Sequence, residues 1–294
     1  MNIQTDYLSS TINRRCLQGI AKICCVFALL ALSGCQTTPV EQHYAKQFQA
    51  NLQFIQGEPY LHASYVNAAA FALQTSHQPG KFLHVYIEGD GKAFVNGKVS
   101  ANPTPDNPLM LKLMHMDTRP AVYLGRPCYF NAEDTNCSPN VWTRQRYSEK
   151  VINSMAHALQ HFSNDYDHLV LIGHSGGGTI ATLLAEKMSK TSMVVTLAGN
   201  LDTFAWAVNH QYQPLKLSLN PSDRPNLSGK IIQIHYAGAN DTVINPDWIE
   251  AYANKQQRAE FHRLPKVDHI NGWEAFWPQV LKKLLDYQQF VTSE

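Results

Sequence analysis

A serine framed by glycines, Gly173-His174-Ser175-Gly176-Gly177, is the residue of this chain best suited to covalent chemistry. The pentapeptide follows the apolar run His168-Leu169-Val170-Leu171-Ile172 and precedes a segment that reads as helix from Thr179 to Lys190, so Ser175 falls on a strand-to-helix turn. Glycine at the first and last positions permits a turn too tight for side chains, and the strain lifts the hydroxyl into the open. A serine hydroxyl is a weak nucleophile that requires a base oriented by a carboxylate. Asp241 follows the strand-like Ile231 to Tyr236, and His269 follows the strand-like Ala259 to Leu264, giving the order Ser, Asp, His.

The chain has 13 histidines, so the assignment rests on position. His235 and His262 fall inside strands, whereas His269 lies in the loop before the last helix. Asp268 adjoins the base and would point away, Asp247 is a further competitor, and Asp202, after the preceding strand, is the serious rival for the acid. Developing negative charge on the reacting carbonyl needs two N–H donors. One is the backbone of Gly176; the other is assigned to Asp90 in Glu88-Gly89-Asp90-Gly91, which follows the strand Phe82 to Ile87. A plain Gly-Asp-Gly turn is the structural alternative at that place.

These residues require a scaffold of alternating strand and helix. Leu109, Leu113 and Met116 recur at helical spacing, as do Val151, Ile152, Met155, Leu159 and Phe162, and Trp273, Phe276, Val280 and Leu284 give a C-terminal helix its apolar face. Further strands are read at Ala121 to Leu124 and Met193 to Leu197. The alternation predicts an α/β domain over residues 60–294 with a mainly parallel sheet covered on both faces. Residues 200–229, with three prolines and Phe204, Trp206 and Tyr212, are overlong for a connection and predict a small cap over the site.

The first 35 residues are of another kind. Arg14, Arg15 and Lys22 precede an apolar run ending in Leu32-Ser33-Gly34-Cys35, which reads as an export signal over residues 1–34 with Cys35 as the acylated N-terminus; residues 35–59 are expected to be a lipidated tether. Removing the leader and assigning Cys35 to the anchor leaves Cys128 and Cys137, a pair expected to form a disulfide in an oxidising compartment. The pair lacks zinc-site spacing, and no metal or organic cofactor is expected. A formal net charge of +1 removes the electrostatic case for nucleic-acid binding, and 44% hydrophobic residues exclude a disordered chain.

The elbow at Gly173 to Gly177, the acid loop Gly238 to Val243 and the Asp268-His269 turn together resemble the α/β-hydrolase superfamily over residues 80–290. Within it the chain looks like bacterial hydrolase-type lipoproteins with Glu-Gly-Asp-Gly after an early strand. The resemblance implies serine hydrolase chemistry on a small-molecule ester or acyl substrate in the cell envelope, at a membrane through Cys35. A peptidase or amidase of the same fold, or a non-catalytic envelope binding lipoprotein, are the competing readings.

Overall fold

The computed structural model describes residues 40–130 and 134–292. The leader and Cys35 lie outside them. The strands are β1 (Asn51–Gln56), β2 (Leu61–Val66), β3 (Gly80–Ile87), β4 (Phe94–Val95), β5 (Lys98–Val99), β6 (Ala121–Tyr123), β7 (Tyr166–His174), β8 (Thr191–Leu197), β9 (Ile232–Gly238) and β10 (Ala259–Leu264). Around them run helices α1 (Val40–Gln47), α2 (Ala68–Ser76), α3 (Leu109–His115), α4 (Pro139–Trp142), α5 (Glu149–Ser163), α6 (Gly176–Ala185), α7 (Thr203–Asn209), α8 (Pro246–Ala253) and α9 (Trp273–Val291).

Eight strands form one sheet in the order β1-β2-β6-β3-β7-β8-β9-β10, and β4 and β5 make a separate hairpin. From β6 to β10 every neighbouring pair is parallel, while β1–β2 and β2–β6 are antiparallel. Strands buried on both sides must be apolar throughout, which explains Leu169-Val170-Leu171-Ile172 at the sheet centre. Parallel strands also end on one edge, so the loops after β3, β7, β9 and β10 open on the same side.

Ser148 caps α5 by accepting a hydrogen bond from the Val151 N–H, and the helix buries Val151, Ile152, Met155, Leu159 and Phe162. In α9 the buried face is Trp273, Trp277, Val280 and Leu284, with Phe276 only half-buried. Among the described residues no helix is long and apolar enough to cross a membrane.

Residues 40–59, expected to be tether, instead belong to the domain. Tyr44 and Phe48 are buried in the core, and β1 pairs in full register with β2, burying Ile55. The polar residues of β1 suit an edge strand, so the segment carried no continuous apolar signal. Residues 200–229 are likewise built in: Asp202 caps α7 by accepting from the Ala205 N–H, and Leu219 N–H donates to the Tyr147 carbonyl at 3.0 Å. A disulfide joins Cys128 and Cys137, their Cα atoms 5.7 Å apart.

Candidate active site

The turn after β7 holds Ser175 at φ 52° and ψ −120°, a conformation costly for any residue with a side chain. Its surroundings over-determine it. Ser175 N–H donates to the Leu197 carbonyl at 2.9 Å, and the Ser175 carbonyl accepts from Gly178 and Asn200, each at 3.0 Å. A Cβ on Gly173 would run into the Gly177 carbonyl and one on Gly177 into the Ile87 carbonyl, so the outer glycines are demanded by close backbone approach.

Ser175 Oγ lies 3.1 Å from His269 Nε2, and His269 Nδ1 lies 2.9 Å from Asp241 Oδ2. The partners fix the tautomer: Nδ1–H donates to the carboxylate, leaving Nε2 to accept the serine proton. The second oxygen of Asp241 accepts from the N–H groups of Val243 and Ile244 at 2.8 and 2.9 Å, which holds the carboxylate plane while its side chain is 1% exposed. The competing carboxylates are occupied elsewhere. Asp202 caps α7, Asp247 pairs with Arg263, and Asp268 accepts from the N–H groups of Ile270 and Asn271. His235 is buried against Thr196, and His262 contacts Glu260.

Two residues read from the sequence only as part of the elbow and of the last helix's apolar face fix the backbone of His269. His174 Nε2–H donates to its carbonyl at 2.7 Å, and Trp273 Nε1–H at 3.1 Å. Burial, reinforced by the neighbouring His269, pushes the His174 imidazole down to about 3, so it stays neutral and keeps a proton for this bond.

The loop after β3 lies against the elbow: a Cβ on Gly89 would stand 3.4 Å from Ser175 Cβ. Among the described residues, neither the Asp90 N–H nor the Gly176 N–H donates a hydrogen bond. The Asp90 side chain is tied down by Arg126 Nη1 at 2.8 Å, Arg146 Nη1 at 2.7 Å and the Tyr147 hydroxyl at 2.8 and 2.7 Å. Burial alone would raise its pKa, but the two guanidinium groups outweigh that and hold the carboxyl well below its usual range. A Cβ on Gly176 would strike this carboxylate and the Tyr147 hydroxyl, so the cluster packs directly on the elbow. Glu88 accepts from the Met110 N–H at 3.1 Å and the Gly89 N–H at 3.3 Å; burial pushes its carboxyl up to about 7 against those hydrogen bonds.

Glu88, Gly89, Asp90 and Arg146 line a cavity of about 900 Å³ that includes Ser175 and His269. Trp206 and Tyr212 of the 200–229 segment line it too, whereas Phe204 is 57% exposed and lies off the cavity wall. Asn200, also on the wall, has a buried Oδ1 with no hydrogen-bond partner among the described residues. Among those residues no group of three or more His, Cys, Asp or Glu side chains could hold a metal ion.

No family model and no curated protein matches the chain. Solved structures do. An esterase of Pyrococcus furiosus superimposes with a TM-score of 0.58 at 8% identity, over 84% of this chain and 93% of that one. The fold is that of the α/β-hydrolases. A membrane phospholipase A described as a bacterial virulence factor is similar over 95% of this chain and 98% of its own, with a TM-score of 0.55 and 14% identity. A proline iminopeptidase-related protein of Thermus thermophilus is similar over 80% and 97%, with a TM-score of 0.56 and 11% identity. Hydrolases named for ester, phospholipid and peptide chemistry thus share this α/β-hydrolase architecture, so the fold leaves the bond cleaved to the site itself.

Proposed function

We propose that the chain is a serine hydrolase that cleaves carboxylic esters through an acyl-enzyme. The supporting observation is the unbroken relay from Ser175 Oγ through His269 to Asp241 at 3.1 and 2.9 Å, opening into the cavity. In the first half-reaction Ser175 Oγ attacks the acyl carbonyl while His269 Nε2 takes its proton. Asp241 holds the imidazole and stabilises the imidazolium that forms. The N–H groups of Gly176 and Asp90 face the developing oxyanion, the collapsing intermediate releases the alcohol with the proton from His269, and water repeats the sequence to free the acid. The reading extends to an envelope location with Cys35 acylated; loss of palmitate incorporation in Cys35→Ser checks that part.

The test is fluorophosphonate labelling of the protein beside Ser175→Ala. Labelling of the wild type alone supports the nucleophile, and an unlabelled, folded wild type would return the chain to a binding role. Matched ester and amide substrates then separate esterase from amidase.

A further inference from the structure

Beside the cavity two buried guanidinium groups share a single carboxylate. Asp90 is bonded by both Arg126 and Arg146, one negative charge between two positive ones. The two arginines differ in what surrounds them. Arg126 is 2% exposed, with its guanidinium carbon 5.2 and 5.7 Å from the ring centroids of Tyr129 and Tyr147, and it is off the cavity wall. Its charge is committed to holding the loop after β3.

Arg146 lies on the wall although its side chain is only 6% exposed. Nε donates to the Thr143 carbonyl at 2.6 Å and Nη1 to Asp90, while Nη2 has no hydrogen-bond partner among the described residues. The guanidinium carbon is 6.0 Å from the ring of Trp206, which lines the same cavity. Two residues earlier, Arg144 is an exposed part of that wall and forms no ion pair among the described residues. The other wall charges do not supply the missing anion: Lys92 and Asp106 pair with each other at 2.5 Å, and Glu88 is turned to the N–H groups of Met110 and Gly89. Arg146 Nη2 is not among the buried atoms left without a partner, so on the cavity wall it is reachable from the cavity, and a charged oxygen ligand is its strongest available acceptor.

We propose that Arg146, with Arg144 at the mouth, forms an anion subsite, so that the ester cleaved at Ser175 carries a carboxylate or phosphate group near the scissile bond. This rests on the hydrolase reading above and narrows it to anionic acyl esters. The charge sits either on the acyl side, as in a dicarboxylic half-ester, or on the alcohol side, as in an acylated glycerol phosphate.

The experiment compares kcat/KM within two matched pairs: mono-p-nitrophenyl glutarate against p-nitrophenyl pentanoate, and butyrylglycerol phosphate against butyrylglycerol. In the wild type at least one anionic member should exceed its neutral partner by about tenfold or more, the pair that responds identifying the side that carries the charge. That ratio should collapse in Arg146→Gln, fall partly in Arg146→Lys and Arg144→Gln, and decline as salt rises. Ratios near one in both pairs, or a ratio that survives Arg146→Gln, overturn the subsite. A second arm is independent of turnover: calorimetry of glutarate and glycerol phosphate binding to Ser175→Ala, with and without Arg146→Gln. If the wild type cleaves no ester, the hydrolase reading fails, and binding lost with Arg146→Gln still supports the subsite. No binding of either anion refutes it.

Discussion

At the scale of single residues, the three groups of the relay each have one partner that no neighbour can replace. Asp241 has one oxygen on His269 and the other on two backbone N–H groups, so Asp241→Asn keeps the shape while offering the imidazole the wrong hydrogen-bonding face. Turnover should drop by roughly 10⁴. Asp202→Asn, by contrast, touches the cap of α7 and a hydrogen bond from Asn220 Nδ2, away from His269, and should leave kcat within about tenfold, since asparagine is also a good cap. Steady-state kinetics of the two variants decide between the rival acids, and a dead Asp202→Asn beside an active Asp241→Asn would reverse the assignment. Ser175, Asp241 and His269 were legible in the sequence because each follows a strand-like run, in an order that the parallel sheet turns into proximity. Arg126, Arg146 and Tyr147 were not, for they lie 36, 56 and 57 positions from Asp90 and belong to no local period. Only the folded chain brings them to one carboxylate.

At the scale of elements, the loop after β3 is held from two sides, by the arginine cluster on Asp90 and by Glu88 on the N-terminal turn of α3. The β1 edge and α1 escaped the sequence reading for the opposite reason to the core strands, which are apolar throughout. An edge strand such as Asn51–Gln56 buries one residue and shows the rest in part, leaving little periodicity to read. Glu88 gives this region a pH dependence with a definite sign. Its folded-state value is raised from the ordinary 4.5 to about 7, so the protonated carboxyl is favoured in the native state. The stability this contributes is full below about 4.5 and is lost as pH rises through about 7. Glu88→Gln, neutral throughout, should therefore gain in melting temperature over the wild type as pH goes from 5 to 8; a constant difference would contradict the assignment. In the 200–229 segment, Trp206 lies over the guanidinium of Arg146 and on the cavity wall, so Trp206→Ala should alter preference across an acyl-length series more than it alters melting temperature. Unchanged selectivity would argue against a substrate contact.

At the scale of the whole molecule, stability depends on keeping several imidazoles dry. His62 donates and accepts between the Gly125 carbonyl and Ser154 Oγ, His174 supports the His269 backbone, and His235 sits against Thr196 and Tyr252 inside the sheet. Burial lowers them from 6.5 to about 4, 3 and 3 respectively. The unfolded chain protonates each near 6.5 while the native one does not, so the stability they contribute is full above that value and is lost as pH falls toward 4. Three such protons oppose the single one of Glu88 between about 4.5 and 6.5, and the net slope there favours unfolding on acidification by roughly 1.4 kcal/mol per pH unit for each uncompensated proton. Asp117, held low because hydrogen bonds from His84 and Tyr86 outweigh its burial, adds loss of the same sign at lower pH. Urea midpoints across pH 4 to 8 should therefore decline steeply on the acid side. His62→Gln, which cannot take up the proton, should be less stable than the wild type at pH 7 yet lose less between pH 6.5 and 4.5. Parallel curves for the two proteins would show that His62 is already protonated in the native state, contrary to its enclosure between Gly125 and Ser154.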